Sequence, residues 1–299
     1  MSPLSSQRRD YLKGACLVLA ATILFSLSGI FVRLLTAPDP WRISLYRIIS
    51  MNIAVLVFLT MRHGRQTWQR FAVLDRRALL AVSLFFGVGS TLYILAVSRT
   101  SVANVSCLAA TAPVFSAVLA RLVLGERSGM TAWLATGAAL FEIYVIFRDQ
   151  IGAGDQFGNI VALFVALAFA GQTVSLRKFR SVELMPAIFV GGFMVCAAMP
   201  LFGNDFAIDL HDLLLVLVMG VVQLALPILL YVRAARYVSA MTMTLISLLD
   251  VLFNPLWAWL GVGEVPPSST FMGGSIIIAA VLLVITQRRQ HLPVVRVAY

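Results

Sequence analysis

The 299-residue chain is 60% apolar and only 12% charged, with a mean hydropathy of +0.93, whereas soluble globular chains are about one-quarter charged. A water-soluble fold of this length would leave much of that apolar surface exposed, so the composition excludes an ordinary soluble domain and selects lipid as the solvent. The net charge of +10 raises nucleic acid as a partner, but the basic residues fall in short loops between apolar runs, which marks membrane orientation instead.

Inside hydrocarbon every backbone polar group needs an internal partner, so the spans are helices or a closed barrel. A barrel would give segments of about ten alternating residues. The apolar runs here are continuous and about twenty residues long, enough for ~30 Å of helix.

Residues 1–13 form a short polar tail. No small-residue cleavage site follows the first apolar run, which therefore reads as a retained span rather than a signal peptide. Ten helices follow in chain order, at 14–34, 41–61, 78–98, 101–124, 129–147, 157–177, 183–203, 211–235, 238–262 and 268–286. Turn chemistry separates most neighbours, as in Ala37-Pro38-Asp39-Pro40, Gly152-Ala153-Gly154-Asp155, Gly203-Asn204-Asp205 and Pro266-Pro267. The close junctions at 98–101 and 235–238 predict antiparallel hairpins.

With the N-terminus placed in the cytoplasm, eighteen Lys and Arg fall in inside segments and four in outside ones, with Arg47 inside a span. That bias predicts an even number of crossings, both termini cytoplasmic, and insertion in a bacterial inner membrane. Cys16, Cys107 and Cys196 lie in apolar runs, with neither zinc spacing nor a disulfide framework.

The chain also repeats itself. At an offset of 138 residues Leu92, Tyr93 and Ala96 meet Leu230, Tyr231 and Ala234, Ser101 meets Ser239, and Gly125-Glu126 meets Gly263-Glu264. A weaker match at offset 144 pairs Gly14, Phe25 and Arg33 with Gly158, Phe169 and Arg177. The expected layout is a tail (1–13), a first five-helix repeat (14–148), a periplasmic linker (149–156), a second repeat (157–286) and a cytoplasmic tail (287–299). Five is odd, so the halves insert in opposite orientations, an arrangement that places a substrate site near the midplane between them.

Tyr93, Ala96, Ser101, Pro113, Leu124-Gly125-Glu126 and Gly137, echoed by Tyr231, Ala234, Ser239, Pro255, Gly263-Glu264 and Gly274, give the chain a pattern that resembles the EamA-type drug/metabolite transporter superfamily. Val262 stands in the second half where the first has a leucine. Length and layout resemble the aromatic and neutral amino-acid exporters of that superfamily most. The resemblance implies an alternating-access exporter of small metabolites, with neutral or aromatic amino acids as cargo.

Helix breakers at corresponding positions are pointers to the site in such folds. Gly87 and Gly89 in the third helix, Pro227 in the eighth, and Pro113 and Pro255 in the fourth and ninth are the candidate hinges. Candidate cavity residues are Ser26, Phe86, Ser90, Tyr93, Asn104, Gln223, Tyr231, Thr244, Ser247 and Asp250. Each has a plain structural alternative, since Ser and Thr often bond their own helix and aromatics often pack. Asp250 is either a binder of cations or protons or a structural partner of Arg47, and Glu142 reads as structural. Glu126 and Glu264 follow helix-terminal glycines and read as caps of the next helix.

His63, His211 and His291 read as solvated loop residues. There is no metal cluster, dinucleotide loop or Walker A motif, so neither cofactor nor ATP hydrolysis is expected. The first helix carries Ser26 and Ser28 where a cationic-drug pump would carry a carboxylate. A phosphorylated cargo would need several converging cations rather than one. The partners expected are a small-molecule solute and membrane lipid, the chain being a monomer or a homodimer. Another drug or metabolite carrier, or an integral-membrane enzyme or receptor, is the alternative; the enzyme would need a converging nucleophile and base.

Overall fold

The computed structural model describes residues 3–36, 39–100, 105, 108–147, 156–201, 206–263, 278–279 and 281–282. Every regular element among them is helical. The tenth predicted span lies almost wholly outside the described residues, as do Asn104, Cys107, Glu264 and His291.

Local chemistry places the helix ends. Asp39 accepts from the Arg42 amide with Pro40 in the first turn, starting α3 (Pro40–His63) after α1 (Pro3–Phe25) and α2 (Ser28–Leu34). A short helix, α4 (Thr67–Val73), follows, and Asp75 then caps α5 (Arg76–Arg99) through the Arg77 amide. The fourth and fifth predicted spans hold α6 (Ala112–Leu124) and α7 (Met130–Phe147). Next come α8 (Gln156–Lys178) and α9 (Met185–Ala198). Asp209 caps α10 (Leu210–Met219), which continues through a π turn (Gly220–Ala225) into α11 (Leu226–Ala234). Ser239 caps α12 (Ala240–Ser247), and α13 (Asp250–Val262) completes the set. Gly125 and Gly263 close α6 and α13 at φ +67° and +73°, a left-handed turn that glycine adopts without the Cβ penalty.

Among the described residues six stretches are long and apolar enough to cross a membrane: Arg9–Leu34, Pro40–Val73, Arg76–Arg99, Gln156–Lys178, Leu210–Ala234 and Ala240–Gly261. Ala112–Leu124 and Met185–Leu201 are shorter apolar helices. Side chains such as Ile53, Val57, Phe164 and Phe193 project outward from these helices, a surface that lipid covers.

Four predicted spans are not the continuous helices their apolar runs suggest. The first breaks at Ser26–Leu27, the fourth turns at Ala110–Thr111, the eighth widens into the π turn, and the ninth breaks at Leu248–Leu249. Hydropathy is blind to such breaks because the broken segments stay apolar. The candidate hinges fall differently around them. Pro113 sits in the first turn of α6, where a missing N–H costs nothing, and Pro227 follows the π turn within the continuous α10–α11 segment. Pro255 lies within α13. Gly87 and Gly89 leave α5 unbroken, and their missing side chains let it approach its neighbours. A Cβ on Gly87 would lie 3.1 Å from the Gly191 carbonyl on α9, and one on Gly89 3.1 Å from Ala168 Cβ on α8.

The helices pack in a pattern with its own logic. α5 lies against α8 and α9, while the α10–α11 segment lies against α1 and α3. α6 packs on α8, whereas α12 and α13 pack on α1 and α2. α6 and α12 also meet each other.

Candidate functional site

The breaks in α1–α2, α10–α11 and α12–α13 bring polar groups together deep inside the bundle. Phe25 closes α1, and its carbonyl accepts from Gln223 Nε2 in the π turn at 2.9 Å. The next residue, Ser26, is fully buried; its hydroxyl donates to the Ile23 carbonyl (2.7 Å) and accepts from Trp257 Nε1 of α13 (2.8 Å). Ser28 donates to Asn254 Oδ1 at 3.3 Å, and Asn254 Nδ2 reaches back to the Asp250 carbonyl at 3.3 Å. The Phe25 carbonyl at the first break is thus bonded by a side chain of another span, the kind of internal pairing that lipid requires.

Three ionisable or phenolic side chains converge on this region. Arg47 enters from α3; its Nη1 contacts Gln223 Oε1 at 3.4 Å, and its Nε is buried without a partner. Asp250 stands in the first turn of α13, where the positive end of the helix favours a carboxylate, yet its Oδ1 is buried and unbonded. Asn254 supplies the hydrogen bond that its carboxyl does receive. Tyr93 of α5 lies within electrostatic reach of both Arg47 and Asp250. Arg47 lies seven residues from the start of α3 and Tyr93 six from the end of α5, so both stand about 10 Å in from the same end of the bundle.

Tyr93 also keeps 40% of its surface accessible. Tyr93 thus lies within electrostatic reach of Arg47 and Asp250 from a separate helix and keeps part of its surface uncovered by protein. The expected structural ion pair between Arg47 and Asp250 is not formed: among the described residues neither bonds the other.

The remaining candidates separate by environment. Tyr231 is 3% exposed, bonded through its hydroxyl to Thr173 at 3.1 Å, with its ring against Phe25 and Phe169. Thr244 is buried and bonds the Ala240 and Met241 carbonyls of its own helix, and Ser247 bonds Met243. Phe86 is buried and packs where Gly191 leaves room on α9, while Ser90 is half-buried a turn before Tyr93. The structure therefore gathers Ser26, Tyr93, Gln223 and Asp250 with Arg47, Asn254 and Trp257, and places Phe86, Tyr231 and Thr244 in helix packing. Asn254 and Trp257 carried a sequence signal as a polar and an aromatic residue in an apolar span. Thr173 carried none.

A second polar cluster lies at the helix ends. Gly125 turns the chain so that Glu126 meets Arg177 at the end of α8, Nε to Oε1 at 2.9 Å, and Arg177 Nη1 donates to the Ala235 carbonyl at 2.9 Å. Glu126 is thus an ion-pair partner across the halves rather than the expected helix cap. Burial, reinforced by Arg177, lowers the Arg180 guanidinium from its ordinary pKa, and Glu126 opposes that shift. His63 is not an isolated loop residue either, since it contacts Glu183 at 2.6 Å. Asp212 bonds the Thr36 amide and hydroxyl, each at 2.9 Å, with His211 alongside.

An all-helical bundle with apolar helices of membrane-crossing length and polar groups where they break is an integral membrane protein. The chain belongs to the EamA-like transporter family, whose profile matches it twice, over residues 12–148 and 153–286. It is 29% identical over 281 residues to the pseudopaline exporter CntI of Pseudomonas aeruginosa strain PAO1, covering 91% of this chain and 95% of the exporter. It is 23% identical over 291 residues to the S-adenosylmethionine uptake transporter of Rickettsia prowazekii, covering 95% and 96% of the two chains. A crystal structure at 13% identity superposes with a TM-score of 0.77 over 91% of this chain and 96% of that one, a likeness of fold alone.

Proposed function

We propose that the protein is a secondary transporter of the bacterial inner membrane that moves small polar metabolites by alternating access through a space lined by Tyr93. The observation that carries this reading is the meeting of Arg47, Tyr93, Gln223 and Asp250 where three helical segments break. Ionisable groups at such depth are costly and mark solute or proton paths. The double family match supports two repeats at 14–148 and 157–286, joined by a linker at 149–156 and flanked by tails at 1–13 and 287–299.

Helix packing supports the inversion. Exchanging the halves turns the contacts of the third span with the sixth and seventh into those of the eighth with the first and second. The contact of the fourth with the sixth becomes that of the ninth with the first, and the fourth–ninth contact maps onto itself. A ten-span chain with cytoplasmic termini accounts for this pattern and for the basic loops.

Neutral or aromatic amino acids, the cargo implied by the first resemblance, find no counterpart in relatives named for pseudopaline and S-adenosylmethionine. The cargo class favoured here is therefore wider, a small polar metabolite. Export remains the direction of the 29%-identical relative.

Counterflow in liposomes tests the reading, with labelled S-adenosylmethionine and a panel of amino acids. Protein-dependent exchange, absent from empty vesicles, is the expected result; folded protein that moves none of them argues for a membrane enzyme or receptor. Cysteines at Gly89 and Pro227 are expected to change solvent accessibility when a transported solute is added, and unchanged labelling counts against rocking of the halves.

A further inference from the structure

Among the described residues Arg47 has no carboxylate bonded to its guanidinium. Its Nε has no partner, and Nη1 makes only a long 3.4 Å contact with the neutral Gln223 oxygen. Asp250 is the complementary case, a carboxylate with Oδ1 buried and unbonded, held by Asn254 from its own helix. Opposite charges in a low-dielectric interior attract strongly, and pairing them would relieve both. The fold keeps them apart instead, with neutral amides at each and the Tyr93 phenol in reach of the two.

Such a separation leaves a fixed dipole whose ends lack counter-charges. A solute with only a carboxylate would satisfy Arg47 and leave Asp250 unpaired. A solute with only a cationic group would do the reverse. A solute with both satisfies the two ends at once and brings no net charge into the membrane. Trp257, fixed by its bond to Ser26, presents an aromatic surface in the same region.

We infer that Arg47 and Asp250 form a zwitterion-binding site, in which Arg47 takes the solute's carboxylate and Asp250 its ammonium or other cationic group. Tyr93, within electrostatic reach of both, is a hydroxyl able to donate to the first group or accept from the second. The inference deepens the transporter reading and rests on it, with solutes bearing an α-amino-acid end as the natural class.

The test uses the full chain in detergent and reads ligand-dependent thermal shifts against concentration. The probes are S-adenosylmethionine, its decarboxylated analogue, L-phenylalanine, phenethylamine and 3-phenylpropionate. In the unaltered protein at least one solute with an α-amino-acid end is expected to half-saturate at a concentration about tenfold or more below that of its analogues lacking the carboxylate or the ammonium. Arg47→Gln is expected to abolish the advantage over the amine while keeping that over the acid, and Asp250→Asn to do the opposite. If either variant fails to fold, the analogue series on the unaltered chain still decides.

An analogue lacking either group that binds as tightly as its parent overturns the inference, as do ratios unchanged in folded variants or the failure of every solute with an α-amino-acid end to bind. Counterflow of a solute lacking either group would sink this site assignment and leave the transporter reading intact. Loss of all counterflow would sink both.

Discussion

Tyr93 and Tyr231 occupy equivalent positions in the two halves, yet the protein uses them in opposite ways. Tyr93 is accessible and faces the unpaired charges of Arg47 and Asp250. Tyr231 is locked between Phe25, Phe169 and Thr173. Polar side chains are distributed the other way, in the half that carries Tyr231. At the repeat offset the polar Gln223 and Asp250 correspond to Phe85 and Ala112 in the first half. The α5–α8–α9 side is closed by glycines against large side chains: a Cβ on Gly191 would lie 2.8 Å from the Ser83 carbonyl. The family profile thus matches two stretches that differ in packing, α5 closely packed through its glycine contacts and the α10–α11 and α12–α13 segments carrying the polar side chains.

Three experiments separate the packed side from the polar one. Asp250→Asn, on the polar side, is predicted to reduce transport by about a hundredfold or more while folded yield stays near normal, because a solute cation loses its counter-charge. Loss of folded protein instead would make Asp250 part of the packing. Gly191→Val, on the packed side, is predicted to destabilise by about 2 kcal/mol through overpacking, read as a lowered Tm at unchanged ligand affinity. The two tyrosines give the crossed test. Tyr231→Phe should cost about 1 kcal/mol of stability through the lost Thr173 bond and leave binding alone. Tyr93→Phe should weaken binding severalfold at unchanged Tm. Identical behaviour of the two would erase the distinction.

Much of the scaffold was legible before any coordinates. Uniform apolar runs announce lipid-embedded helices, and Asp39, Gly125 and Gly263 mark ends where the structure has a cap or a left-handed turn. The breaks were not legible. Ser26–Leu27 and Leu248–Leu249 carry no glycine or proline, so their carbonyls are released by tertiary partners such as Gln223 and not by local preference. Pro113 shows a related effect: it reads as an interior kink only while the fourth span is taken as one continuous helix. Half of the proposed site was visible, since Tyr93, Gln223 and Asp250 are polar residues in apolar spans. Arg47 was visible too, but only as a structural partner for Asp250; that the two stay apart is a fact of three dimensions.

The smallest effect belongs to the ion pair at the helix ends, where the two halves meet away from the polar centre. Glu126 and Arg177 are both partly accessible, so their attraction is screened, and Glu126→Gln should cost only about 0.5 kcal/mol. Arg177→Gln should cost more, about 1 kcal/mol, because it also strips the Ala235 carbonyl of its donor. The order of the two Tm losses is the informative quantity. If Glu126→Gln proves the more damaging, Arg177 and Arg180 repel strongly once unopposed, and electrostatics rather than carbonyl capping joins the halves at this end. If Arg177→Gln leads, as expected, the bond to Ala235 ties the end of α8 to the end of α11. The helix that carries Thr173 and the one that carries Tyr231 would then be fastened twice, at their ends and at mid-depth. That would make the second half's tyrosine a fixed strut, against which the first half's tyrosine is free to meet a solute.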